Sequence, residues 1–306
     1  MNVNDLDASI FDESIERGLE FLRRSQLPSG EFKLYGSPDM AMERERVLDS
    51  SPFATSLVAY SLGFADWPQA QALVARALQS LRADMELPGM WRHWTKNDLY
   101  QRYLPPDADD IACASYLLRR YGVFEPKNRA LLLANRSREG LFYTWFIPRF
   151  AYTLEPSYWR VTLREAVHPR GIANLWKTTP ATPNDVDGVV NANVLFYLGE
   201  SQLTQPVIDY LIRTIQRQEE DSCDKWYGRY MFYYALSRNF FAGVTQLETV
   251  RDEVIRRIVQ DAREDGSIGD NVLETAIAVC SLLNWHALPA ETHRAVQLLI
   301  STQRAA

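Results

Sequence analysis

The chain of 306 residues predicts an all-α protein, a single α/α toroid that spans 1–306 and is built from two-helix repeats. Three observations predict it. Five stretches share one plan: an amphipathic helix ending in a polar residue, a short turn with glycine or acidic residues and often an aromatic, then a helix rich in Ala, Ser, Thr and Leu. The helices before the turns carry one wet face, so they belong to an outer layer. Those after the turns are apolar nearly all round, as expected of an inner layer covered on two sides. An open helical-repeat scaffold with no cavity is the alternative architecture.

Taken in order, the outer helices are SIERGLEFLRRSQ (14–26), PQAQALVARALQSLRAD (68–84), PKNRALLLANRS (126–137), QPVIDYLIRTIQRQ (205–218) and ETVRDEVIRRIVQDA (248–262). Their turns are SQLPSGEFKLYG (25–36), DMELPGMWRHW (84–94), SREGLFYTWF (137–146), QEEDSCDKWYG (218–228) and REDGSIGD (263–270). The inner helices follow as FATSLVAYSLGF (53–64), DIACASYLLRRYG (110–122), GVVNANVLFYLG (188–199), WYGRYMFYYALSR (226–238) and NVLETAIAVCSLLNW (271–285). A sixth outer-type helix, ETHRAVQLLISTQ (291–303), ends the chain, and the N-terminal segment is expected to pack beside it. The longest gap between inner helices holds an insertion at about 143–184, rich in Pro, Trp, Tyr and Arg, which can serve as a lid.

With 46% hydrophobic residues the chain can bury a large core, and its net charge of −6 gives no general footprint for nucleic acid. Three widely spaced cysteines, Cys113, Cys223 and Cys280, suit a reducing compartment. The polar, acidic N-terminus is no signal or transit peptide, and no apolar run could span a bilayer, so a cytoplasmic location is expected. Eight Trp, fifteen Tyr and thirteen Phe are frequent in the turns, where filling a core does not account for them.

Two inner helices begin with clustered acids, PPDADDIA (105–112) and PNDVDGVVNAN (183–193). An aspartate at a helix N-terminus accepts free backbone N–H groups and sits in the positive end of the dipole. That explains one or two per helix. Asp107, Asp109 and Asp110 are three in four residues, and crowding raises the pKa of at least one, a way to keep a carboxylic acid protonated near neutrality.

DADDIA resembles the DxDD motif of class II terpene cyclases, the squalene-hopene and copalyl diphosphate type, which open cyclisation by protonating an alkene or epoxide. The turns DMELPGMW, QEEDSCDKW and REDGSI resemble the Gln/Asp-Gly-Trp repeats of that superfamily, which also includes protein prenyltransferase β subunits. The resemblance implies Asp109 as proton donor, with Asp107 and Asp110 tuning its acidity and hydrogen bonding. It implies a hydrophobic isoprenoid as the ligand, and it is compatible with peripheral membrane contact and with a homodimer. No cofactor is needed for proton-initiated chemistry; Mg2+ would come with a diphosphate substrate.

A carbocation needs aromatic walls that stabilise it without capturing it, and Trp91, Trp94, Phe142, Trp145, Trp226 and Tyr227 in or beside the turns are the candidates. His93 either hydrogen-bonds the acid or is an exposed loop histidine. The chain departs from the family at Ile111, where Thr or Ser is usual, and one ring must do without the second domain that usually closes the cavity. A non-catalytic binding module of the same superfamily is therefore an alternative.

In the second cluster Asp185, Asp187, Asn191 and Asn193 can hold Mg2+ with a diphosphate, act as a final base through water, or bond a neighbouring helix; Asp187 and Asn191 share a helical face. Cys223 with Asp221 and Asp224 invites comparison with a prenyltransferase zinc site, but His286 and His293 fall outside any ligand spacing. Asp109 and Asp187 with the rim Trp residues can also be read as a carbohydrate-active α/α toroid, for which the inner helices are too apolar. Arg149, Arg160, Arg164, Arg170 and Lys177, beside Tyr152, Tyr158, Trp159 and Trp176, form either a diphosphate clamp or a solvated surface.

Overall fold

The structure, a computed structural model, describes residues 8–36, 47–149 and 153–303. Its helices are α1 (Ala8–Ser25), α2 (Pro52–Leu62), α3 (Pro68–Asp84), α4 (Ala108–Arg120), α5 (Arg129–Ala134), α6 (Pro156–Val167) and α7 (Arg170–Thr178). They continue as α8 (Gly188–Leu198), α9 (Gln205–Gln216), α10 (Arg229–Phe241), α11 (Arg251–Gln260), α12 (Val272–Asn284) and α13 (Ala290–Thr302). A short antiparallel hairpin, β1 (Leu34–Gly36) and β2 (Val47–Asp49), pairs Tyr35 with Leu48.

The chain forms two compact units: one of Leu19–Arg138 with Phe142–Asp185, the other of Met1–Gly18, Glu139–Leu141 and Val186–Ala306. In the first, α2 lies against α4 and α3 covers both. In the second, α8, α10 and α12 lie side by side in that order, with α9 against α8 and α13 against α12. Within each unit, helices that follow turns thus neighbour one another, and α3, α9 and α13 pack against them. Every residue of α8 is buried, which is why its sequence shows no amphipathic stripe. The inner helix α12 keeps Leu273, Cys280 and Leu283 exposed, so cover on two sides does not extend to it.

The repeat is visible in the turns themselves. Isolated antiparallel bridges close four of them, at Gln26–Phe32, Glu86–Met90, Arg136–Phe142 and Ala262–Ile268. In the first, Gly30 has φ of +98° and a Cβ there would stand 2.3 Å from the Arg76 carbonyl oxygen of α3; in the last, Gly266 has φ of +90° and would meet the Arg294 carbonyl of α13 at 2.4 Å. Only glycine allows both that backbone and that approach. The residue two positions on donates its amide to a threonine of the inner helix in both turns, Phe32 to Thr55 and Ile268 to Thr275. The N-terminal helix does lie beside the last one: Ser14 donates to Gln303 at 2.8 Å, and the Gln303 amide returns a bond to the Ser14 carbonyl.

Two predicted helices are shorter than their patterns. The 126–137 segment is helical only over α5, because the buried Asn128 side chain is drawn away to the Gly89 carbonyl and the Ser115 hydroxyl. The 226–238 segment starts its helix at Arg229, because Asp224 captures the amides of Trp226 and Tyr227 and holds both in the turn. The 143–184 insertion contains α6 and α7; Tyr152 lies outside the described residues.

Candidate active site

Two prolines keep the chain extended before α4. Asp107 caps that helix with extended dihedrals, and its Oδ1 accepts the Asp110 amide at 2.8 Å, with the Asp109 amide also turned toward the same carboxylate. The cap places Asp109 and Asp110 in the first turn. All three carboxyls are buried, with 6%, 5% and 2% exposure for Asp107, Asp109 and Asp110, so desolvation opposes every charge the cluster could carry.

Burial raises the Asp107 carboxyl, against the pull of the two amides and of His93. Burial also lifts Asp110 well above the usual carboxylate range, and repulsion from Asp107, Asp109 and Asp84 adds to it. Of this pair, burial and mutual repulsion hold Asp110 as an acid, and the cap residue Asp107 is the one drawn toward negative charge by its amides. Asp84, the last residue of α3, is a fourth carboxyl felt by this cluster; burial pushes it up to about 6 although it accepts the Lys96 amide at 2.5 Å.

His93 faces Asp49, with Nε2 3.6 Å from Oδ2. Burial would raise the Asp49 carboxyl, but His93, the Ser50 amide and the Trp94 indole hold it below the ordinary range. The Trp94 ring packs edge-on or tilted against His93, Tyr100 and Tyr103, with centroids 4.7, 6.0 and 5.9 Å away. Tyr100 and Tyr103 are aromatic partners that the turn pattern did not reveal, because they lie outside the repeat. Trp91 is fully buried and gives its indole N–H to the Leu81 carbonyl; Phe142 is equally buried, and Trp145 packs with Ile147, Ile172 and Leu175.

Asp185 belongs to the same unit and is occupied locally, accepting the Thr182 amide at 2.8 Å and the Thr182 hydroxyl. In the other unit Asp187 occupies the N-cap position of α8 with its side chain accepting the Lys225 amide at 3.3 Å, while the buried Asn191 gives its side-chain N–H to the Asp187 carbonyl. Asn193 accepts from the buried Arg238. The first turn of α8 is served by Asp224, which accepts the Val189 amide at 3.0 Å; Trp226 is partly exposed in the turn that Asp224 organises. Burial pushes Cys223 up to about 12, and among the described residues no group of three His, Cys, Asp or Glu side chains is arranged to hold a metal ion.

Of the basic residues in the insertion, Arg164 is spent on Glu86 and Glu165, and Arg149 on the Asn135 side chain and the Trp145 and Pro183 carbonyls. Arg160, Arg170 and Lys177 are exposed. No helix among the described residues is long and apolar enough to cross a membrane.

This arrangement of helices is known. The fold is all-α, of the α/α toroid class, and it is that of the type II terpene cyclases. The ligand-free type II terpene cyclase MstE from Scytonema matches with a TM-score of 0.65 at 16% identity, over 98% of this chain and 80% of that one. An aspartate-to-alanine variant of MstE in complex with merosterolic acid A, its product, matches with 0.65 at 15% identity over 96% of this chain and 79% of that one. An aspartate-to-asparagine variant in complex with geranylgeranyl dihydroxybenzoate, its substrate, matches with 0.64 at 16% identity over 96% and 77%. At such identities the likeness is one of fold. The chain matches no protein-family model and no curated protein sequence.

Proposed function

We propose that the protein is a class II terpene cyclase that opens ring formation by protonating a polyprenyl chain. The observation that carries the reading is the buried trio Asp107, Asp109 and Asp110 at the head of α4, on a fold shared with enzymes of that activity. Asp109 is the donor: its carboxyl O–H breaks as the alkene π pair forms a C–H bond, leaving a tertiary cation that the next double bond attacks. Asp107, fixed by two backbone amides, holds the cluster's negative charge. Asp110 stays protonated and spares Asp109 a second charged neighbour. Loss of a proton from the last cation restores neutrality, so the product has the mass of the substrate.

The substrate is an isoprenoid, and a prenylated aromatic acid is the class that the substrate complex of MstE suggests. Mg2+ would enter only with a diphosphate group. Trp94 and Trp145, which belong to the same unit as the trio, are secondary parts of the proposal as walls of the site.

The test is incubation of purified protein with geranylgeranyl dihydroxybenzoate, farnesyl and geranylgeranyl diphosphates and squalene, with and without Mg2+, followed by mass spectrometry. A new compound of unchanged mass and fewer double bonds is expected from one of them. Unaltered binding of one without turnover would favour the non-catalytic module.

A further inference from the structure

Arg92 lies between two tryptophans in MWRHW and is only 3% exposed. Its Nε donates to Glu86 at 2.9 Å, and its two terminal nitrogens reach both oxygens of Glu165 on α6, at 2.6 and 3.1 Å. Nη1 also donates to the Leu104 carbonyl at 3.0 Å, three residues before Asp107. Arg164 of α6 joins the set through Glu86 at 2.8 Å and Glu165 at 3.3 Å. Arg92 and Glu165 are therefore a buried pair, flanked by the partly exposed Glu86 and Arg164, an arrangement whose desolvation cost makes it a weak source of stability but a strong specifier of geometry.

The same short segment before α4 is tied to the insertion at two other places. The Ala108 amide donates to the Thr144 carbonyl at 2.8 Å and the Phe146 amide to the Pro106 carbonyl at 2.9 Å, so Asp107 is bridged to Trp145 as in a strand pair. The Thr144 amide continues to the Asp185 carbonyl at 2.9 Å, and Arg149 fastens the Trp145 and Pro183 carbonyls, joining the two ends of the insertion. On α7, Gly171 leaves room for the Arg102 carbonyl, which a Cβ would meet at 3.0 Å.

We infer that Arg92 is a positioning residue of the acid site, and that through Glu165 it makes the inserted helices α6 and α7 a fixed wall of that site instead of a lid. Arg92 holds the backbone that leads into Asp107 and is followed by His93, whose side chain faces Asp49 and whose charge acts on Asp107. The carboxyls that feel this setting are Asp107, Asp109, Asp110 and Asp84, and His93 acts on Asp107. The inference rests on the trio being a functional acid site, yet its readouts need no substrate, so its failure is separable from failure of the cyclase reading.

The experiment is a carboxyl titration by infrared spectroscopy of the protein labelled with 13C-aspartate, using Asp110→Asn to assign the Asp107–Asp110 pair, in wild type, Arg92→Lys and Glu165→Gln. Lysine keeps the charge but cannot reach Glu86, Glu165 and the Leu104 carbonyl together. Both variants are expected to let water into the cluster and lower the pair's titration midpoint by about one pH unit or more. A lower thermal midpoint with an unchanged titration would reduce Arg92 to a structural role and overturn the inference. If neither variant folds, hydrogen exchange in the wild type decides: α6 and the Phe146 amide exchanging as slowly as the interior of α4 supports a fixed wall, and exchange many-fold faster means that the insertion opens.

Discussion

The inner helices α4 and α8 both start from a proline-led, aspartate-rich turn, yet their carboxylates lead different lives. At α4 one aspartate takes the helix amides, and the next two enter the first turn with it, all three buried and repelling one another. At α8 the acids are parcelled out to backbone: Asp185 to Thr182, Asp187 to the Lys225 amide, and Asp224 from the following turn to Val189, Trp226 and Tyr227. Acidic residues at a helix head are thus no signal of chemistry by themselves. What separates the two is that the α4 carboxyls are crowded close enough to raise one another, whereas those around α8 are held by separate backbone groups.

The largest effect that would sharpen this contrast is on turnover. Asp109→Asn is expected to lower the cyclisation rate by about a thousandfold or more, the scale of a lost general acid, with little change in thermal midpoint. Equal activity in that variant would break the contrast from the α4 side. Next in size, Asp224→Ala should destabilise the protein by about 1–2 kcal/mol in chemical denaturation, because three amides, Val189 at the head of α8 and Trp226 and Tyr227 in the turn before α10, lose their acceptor.

Asp110→Asn is expected to stabilise. The folded state raises this carboxyl's pKa, so its proton contributes stability below the unfolded carboxylate value of about 3.9, and that contribution is lost as pH rises through the folded value. Removing the ionisable group should therefore raise the thermal midpoint more at pH 8 than at pH 4, with about 1.4 kcal/mol gained for each pH unit of displacement. A stability gain independent of pH would contradict the crowding argument. The smallest effect belongs to Asp187→Asn, whose amide oxygen can still accept the Lys225 N–H; stability within about 0.5 kcal/mol of wild type and nearly full turnover are expected. Loss of turnover there to match Asp109→Asn would make α8 a second chemical site.

The repeat was legible because it is written locally, in apolar periodicity and in glycines that must approach a neighbouring carbonyl. The acid cluster was legible too, since its three members lie within four residues. Arg92 was not, because Glu165 is 73 residues away and nothing in MWRHW separates a buried arginine from an exposed one. Asp84 escaped for a similar reason: its influence on Asp110 passes between helices, from the C-terminal end of α3 to the N-terminal turn of α4. The short α5 and late α10 show side-chain competition for backbone groups, from Asn128 and Asp224, overriding periodicity at helix ends.

The central claim is that the head of α4 delivers a proton to carbon, and turnover in D2O tests it most directly. A cyclised product one mass unit heavier than in water is expected, with deuterium on the less substituted carbon of what was the terminal double bond, formed by wild type and absent with Asp109→Asn. A cyclised product without deuterium, or one that forms equally in the variant, would contradict it.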